Sequence, residues 1–315
     1  MVLRLVTFQK QDAKNERIGA LTEDGVVDLT SQAEQEPASL PAAWDNSLIT
    51  VLSQIEWIDW ARQVVQNPSE AHLLDRSSVR LLPPVPHPGK LFLLAGNYRE
   101  HLREAGSFDF QKEDEALPEE EPFIFVKPPI DTVIGDGEPI ILSRNHRFVD
   151  YEAEMAVIIG RTGRYVPAAE ALDYVAGITA FNDVSEREWG KSHQDMTERE
   201  KFFAWLNGKW FDSFAPMGPC AVPMADVPDI HNLDLQLRVN DQLRQHSNTA
   251  MMMFGVPQII AYISGICTLR PGDVIATGTP EGVGHAQGIK LEDQDIVQVE
   301  LELVGTLTNP VQAEI

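Results

Sequence analysis

Residues 150–160 read DYEAEMAVIIG, a strand-forming apolar run entered through two acids. Alternate side chains of a strand share a face, so Glu152 and Glu154 stand roughly 7 Å apart on one side of any sheet containing this segment. Val157, Ile158 and Ile159 require burial on both faces, as in the interior of a sheet. Burying the two carboxylates would cost several kcal/mol per ion, on the order of other buried charges. The fold must therefore either supply a cation between them or leave them facing water.

The composition limits the source of that cation. The 315 residues carry a formal net charge of −23, and 43% of them are hydrophobic, including 6 Trp and 13 Phe. Such a chain can form a sizeable core, as one large domain or two unequal ones. Its field repels nucleic acid and anionic membranes, so neither is expected as a partner, and an anionic substrate needs a local cation. Cys220 and Cys267 are too few for a disulfide framework and are read as buried free thiols. No run of 18 apolar residues occurs, and MVLRLVTFQK lacks the apolar core of a signal peptide, so a cytoplasmic protein is expected.

RLVTFQK and RIGALTEDGVVDLT read as short strands with a turn at EDG, and SLITVLSQIEWIDWARQVVQN has helical spacing through Leu52, Ile55, Ile58 and Trp60. The prolines of LLPPVPHPGK (Pro83, Pro84, Pro86, Pro88) cannot continue a helix or a central strand. A boundary is placed there, with a small domain over 1–85 and a larger one over 86–315. LFLLA is a buried strand, followed by a helix through NYREHLREAG that ends at Gly106. The acid-dense stretch 107–121 reads as a surface loop or as a lid over a site. VPAAEALDYV reads as a helix with Pro167 in its first turn and Gly177 beyond its end, and GITAFNDVS as a strand ending in Asp183. Many strands with few helices between them predict a strand-rich α+β fold.

There is no GxSxG elbow, Walker A, HExxH or paired CxxC, and ATGTPEGVG does not fit GxGxxG. The acids remain. If their strands are adjacent, Glu152, Glu154 and Asp183 meet in one pocket, a hard oxygen site suited to Mg²⁺, Mn²⁺ or Ca²⁺. The spacing alone leaves an ordinary half-exposed strand open. His101 and Glu104 are three apart on one helix face, as either a general base with its orienting carboxylate or a surface pair. Lys127 and Lys209 adjoin apolar runs, as either snorkelling side chains or cations for an anionic substrate.

Taken in order, GNYREH, PFIFVKPP, DYEAEMAVIIG, FNDVSERE, KWFDSFAPMGP and PGDVIATGTPEGVG resemble the fumarylacetoacetate hydrolase family over about residues 88–310. The resemblance implies a mixed, rolled β-structure that dimerises, preceded by a small accessory domain. It implies Glu152, Glu154 and Asp183 as ligands of Mg²⁺ or Mn²⁺, and His101 with Glu104 as the dyad that activates water or moves a proton. Lys209 matches the catalytic lysine of a KSFD-type motif, here KWFD with Trp210 at a normally small position. Thr279, with Gly278 beside it, matches a threonine near the substrate carboxylate, and Lys127 is assigned to the substrate too. The implied activity is metal-dependent hydrolysis of a C–C bond in an acylpyruvate-like substrate. The alternative is decarboxylation or isomerisation of a 2-oxo acid such as oxaloacetate or an aromatic-degradation intermediate.

Overall fold

The computed structural model describes residues 1–11, 13–104, 121–190 and 195–314. The strand Ala153–Ile159 lies near the middle of a large mixed sheet and is buried throughout. From one edge the sheet runs Leu73–Leu74, Gly25–Asp28, Arg17–Thr22, Leu5–Lys10, Ala215–Pro223, Val175–Asn182, Ala153–Ile159, Val274–Ala276, Leu91–Ala95, Phe123–Val126. Neighbours along this path are antiparallel except Val274–Ala276 with Leu91–Ala95. A second sheet runs Gln242–Asn248, Asp234–Val239, Ile296–Leu301, Gly305–Ala313, Ile140–Leu142.

Both faces of the large sheet are covered, which is why its central strands are apolar at nearly every position. Met155, Val157, Cys220 and Val222 pack against Leu235, Leu237, Val299 and Leu307 of the second sheet. Ala156, Ile158, Ala176 and Ala221 face the opposite way, toward Val51, Leu52, Trp57 and Ile58. The alternation puts Glu152 and Glu154 on this second face.

The fold is strand-rich α+β, as expected, but two local readings change. The predicted helix over 47–67 is two helices, Leu48–Ser53 and Ile55–Gln66, broken where Gln54 is extended (φ −125°, ψ 123°). Ser47 caps the first. The second buries Trp57, Trp60, Ala61 and Val65, leaving Ile55 53% exposed. The segment after Pro167 forms a 3-10 helix, Ala168–Tyr174, and Gly177 falls inside the strand Val175–Asn182. A Cβ there would lie 2.4 Å from the Val222 carbonyl oxygen, so glycine permits the close strand pairing. Among the described residues, the chain before residue 85 shares its apolar clusters with the later strands. Leu5 pairs with Ala221, and its strand joins the same sheet and the same two apolar clusters as the later strands.

Candidate active site

Antiparallel pairing sets Ala153 opposite Asn182 and Glu154 opposite Phe181. Asp183, one residue past the strand end, is therefore level with Glu152, and its N–H donates to the Glu152 carbonyl at 2.9 Å. One carboxylate oxygen from each of Glu152, Glu154 and Asp183 lies within 4.8 Å of the others, with all three residues buried. Glu152 opens from this cluster onto a cavity of about 570 Å³, whose lining also includes His101, Glu104, Lys209, Thr279 and Arg187.

Three cations surround the trio. Lys209 Nζ donates to Glu152 Oε2 at 2.9 Å and to Asp183 Oδ2 at 2.6 Å. Its position follows from Gly208, the C-cap of the helix Glu198–Asn207, where a Cβ would meet the Glu186 carbonyl oxygen at 2.2 Å. Lys127 Nζ lies 2.5 Å from Asp183 Oδ1 and donates to the carbonyls of Val184 and Phe214. Arg187 bridges Asp150, at 2.9 Å, and Glu152. Asp150 also accepts the Gly284 N–H at 2.7 Å and the His285 N–H at 3.1 Å, which ties the start of the short helix Gly284–Gln287 to the site.

The surroundings drive the two glutamates apart. Burial would raise the Glu152 carboxyl, but the charges of Arg187 and Lys209 override it and hold the group well below its ordinary value. Glu154 goes the other way. Burial, then the charges of Asp183 and Glu152, push it well above the carboxylate range. The Gly278 N–H satisfies its Oε2 at 2.7 Å, while the buried Oε1 has no hydrogen-bond donor among the described residues. Burial also opposes the charge on Lys209, but Asp183 and Glu152 raise its pKa. Burial pushes Lys127 down to about 8 despite the nearby Asp183.

His101 and Glu104 lie on the short helix Arg99–Glu104, with Nδ1 and Oε2 3.8 Å apart, an electrostatic contact longer than a hydrogen bond. Burial raises the Glu104 carboxyl, but the His101 ring and the Gly282 N–H bring it below its ordinary value. That N–H lies 3.0 Å from Glu104 Oε2.

The expected site residues therefore separate into two groups. His101, Glu104, Glu152, Lys209 and Thr279 line the cavity, with Glu154 and Asp183 grouped beside Glu152. Lys127 and Gly278, expected at the substrate, do not line it. The Lys127 ammonium is bound by Asp183 and two carbonyls, and Gly278 (φ +94°) directs its N–H to Glu154. The expected helix end at Gly106 lies outside the described residues, as does the 107–121 segment apart from Glu121. Sequence reasoning missed Arg187, Asp150 and Gln245. A cation four residues after Asp183, in so acidic a chain, was the available signal for Arg187; nothing local marked Gln245.

This donor set fits a hard divalent cation. The candidate donors are all carboxylate oxygens, and Lys209, Lys127 and Arg187 serve Glu152 and Asp183 but leave the buried Glu154 Oε1 without a hydrogen-bond donor among the described residues.

The chain is similar to known proteins in sequence and in fold. The family model for the C-terminal domain of fumarylacetoacetate (FAA) hydrolase matches residues 90–312. A Xenopus laevis protein named mitochondrial oxaloacetate tautomerase is 35% identical over 98% of this chain and 90% of its own. An uncharacterised protein of Pyrococcus horikoshii is 42% identical over 72% of this chain and 90% of its own. Among solved structures, maleylpyruvate hydrolase from Sphingobium sp. SYK-6, in complex with manganese(II) ion and pyruvate, superposes with a TM-score of 0.74 at 28% identity, over 99% of this chain and 100% of that one. The expectation of a cytoplasmic protein is overturned by the Xenopus protein and by Bos taurus relatives, 36% identical over 98% of this chain, whose names also place them in mitochondria. Among the described residues no helix is long and apolar enough to cross a membrane.

Proposed function

Because the chain belongs to the fumarylacetoacetate hydrolase family, we propose that it is a divalent-metal-dependent enzyme catalysing keto–enol tautomerisation of a 2-oxo dicarboxylate of the oxaloacetate class. The observation that carries this reading is the buried carboxylate trio, within 4.8 Å, beside a cavity whose wall carries His101 and Glu104. Relatives that match nearly the whole chain support the choice of reaction, since their names are oxaloacetate tautomerases.

Held by Glu152, Glu154 and Asp183, Mg²⁺ or Mn²⁺ would supply Lewis-acid stabilisation of the negative charge that develops on the enolate oxygen. The protein's own residues do the rest. His101 takes the proton from the carbon beside the 2-oxo group and returns a proton to the oxygen. Glu104, anchored by the Gly282 N–H, stabilises the imidazolium between the two transfers. Lys209, whose raised pKa keeps it protonated, and the Arg187 guanidinium offset the charge of a dianionic substrate in a chain of net charge −23. Thr279 offers a hydroxyl to a substrate carboxylate. Phe123, Phe125 and Trp205 wall the cavity and limit water around the transferred proton.

Hydrolysis of a C–C bond in an acylpyruvate is the second reading. It is favoured by the same His101–Glu104 pair, which can activate a water, and by the likeness to maleylpyruvate hydrolase. The sequence alone put hydrolysis first; the near full-length tautomerase relatives reverse that order. The test is a side-by-side assay with Mg²⁺ and with Mn²⁺. Enol–keto exchange of oxaloacetate is followed by ultraviolet absorbance, and pyruvate release from oxaloacetate and from a set of acylpyruvates is measured in parallel. Metal-dependent acceleration of exchange is expected. Exchange at the uncatalysed rate, with rapid acylpyruvate cleavage, would replace the first reading by the second.

A further inference from the structure

Gln245 lies on the strand Gln242–Asn248 of the second sheet and is 1% exposed. An amide so buried needs partners at both ends. Its Oε1 accepts the N–H of Ala153 at 2.9 Å, the residue between Glu152 and Glu154. Its Nε2 donates at 2.9 Å to the Pro280 carbonyl and at 2.9 Å to Thr279 Oγ1, with a longer shared contact of 3.4 Å to the Glu281 carbonyl. Carbonyl oxygens only accept and a backbone N–H only donates, so these partners leave the amide one orientation.

That orientation constrains the neighbouring hydroxyl. Thr279 Oγ1 must act as acceptor toward Gln245, so its own proton has to point elsewhere. No acceptor for that proton occurs among the described residues, and Thr279, 3% exposed, lines the cavity. We infer that Gln245 is a positioning residue that holds the Thr279 hydroxyl as a hydrogen-bond donor into the cavity, toward a carboxylate oxygen of the bound 2-oxo acid. This rests on the proposed function in one respect, that the ligand is a 2-oxo acid. The contact is long-range in sequence, joining the second sheet to the 278–282 loop and the metal-ligand strand. Gln245 therefore selects the ligand through Thr279 and does not touch it.

Pyruvate, the smallest 2-oxo acid, is the probe, titrated by calorimetry into the Mn²⁺-loaded protein. Thr279→Val should weaken pyruvate about tenfold or more, as expected for a lost hydrogen bond to a charged group, while Thr279→Ser keeps the affinity. Gln245→Met should weaken pyruvate in the parent protein, yet by less than about twofold once Thr279 is Val, because coupled sites are not additive. Gln245→Glu, which accepts at both oxygens when ionised, draws the hydroxyl proton back and should mimic Thr279→Val. Mn²⁺ affinity, measured alone, should hold within about twofold, the error of additive, independent sites. In turnover the loss should fall on KM more than on kcat. A Gln245→Met effect undiminished in the Thr279→Val background overturns the inference, as does a parallel loss of Mn²⁺ affinity. Gln245-dependent pyruvate binding in a protein that leaves oxaloacetate exchange unaccelerated would refute the proposed reaction and keep this inference. Accelerated exchange with an unaltered KM in both Gln245 variants would do the reverse.

Discussion

Consider Glu154→Gln, a change of nearly constant volume at a fully buried position. Carboxylate oxygens within 4.8 Å repel by about 3.5 kcal/mol per ionised pair at an effective dielectric of 20. Burial and that repulsion raise the Glu154 carboxyl well above its ordinary 4.5. A carboxyl raised in the folded state stabilises the protein below its unfolded value, and the contribution is lost as pH rises through the folded value. Metal-free wild type should therefore lose stability above pH 4.5, by up to about 1.4 kcal/mol per pH unit for one proton. Glu152, held low by Arg187 and Lys209 against its burial, has the opposite sign and matters only as acid titrates it below 4.5. In Glu154→Gln the Gly278 N–H keeps the amide oxygen, which turns the NH₂ toward Asp183 and Glu152. That arrangement satisfies the anions without a proton and sets a donor where a cation would bind.

Two readouts follow for Glu154→Gln. A metal at a hundred times its Kd stabilises wild type by about 2.7 kcal/mol, or about 4 °C in melting temperature for a chain of 315 residues. The variant should show no Mn²⁺-induced shift, and its metal-free stability should be flatter with pH above 4.5. Thermal melts across pH, with and without Mn²⁺, measure both. A variant that keeps the full Mn²⁺ shift would remove Glu154 from the ligand set, and an unchanged pH slope would assign the raised proton to another group.

His101→Ala should lower kcat by about 10²–10⁴-fold while calorimetric Mn²⁺ binding is retained; a retained kcat would put the base elsewhere. Arg187→Met leaves Asp150 and Glu152 without their shared guanidinium, and breaking a buried pair this way costs about 3–5 kcal/mol. Its melting temperature should fall by about 5–8 °C, with no rescue by Arg187→Lys, whose single ammonium cannot span both carboxylates. An unchanged melt would show that the Arg187 bridge contributes nothing to the fold.

Features carried by spacing within one strand or one helical turn were legible in the sequence. Period-two alternation placed Glu152 and Glu154 on one face, and i,i+3 spacing placed His101 beside Glu104. The break at Gln54 was not legible, because the apolar positions on either side continue one helical pattern while the packing surface turns. Nor was the destination of Lys127. A lysine after an apolar strand reads alike whether its ammonium meets a substrate or, as here, Asp183 and two carbonyls.

The sequence by itself determined the chemical class of the site: three carboxylates, a histidine with its carboxylate, and an acidic chain that needs cations wherever these are buried. The tertiary structure alone decided which groups meet. Antiparallel register brought Asp183 level with Glu152, and the second sheet delivered Gln245 to Thr279 across 34 residues of chain. The physical reason is one of range. Side-chain periodicity is a property of local backbone geometry and can be read along the chain. Register and sheet packing are set by the burial of distant apolar faces, and no short stretch of sequence contains both partners.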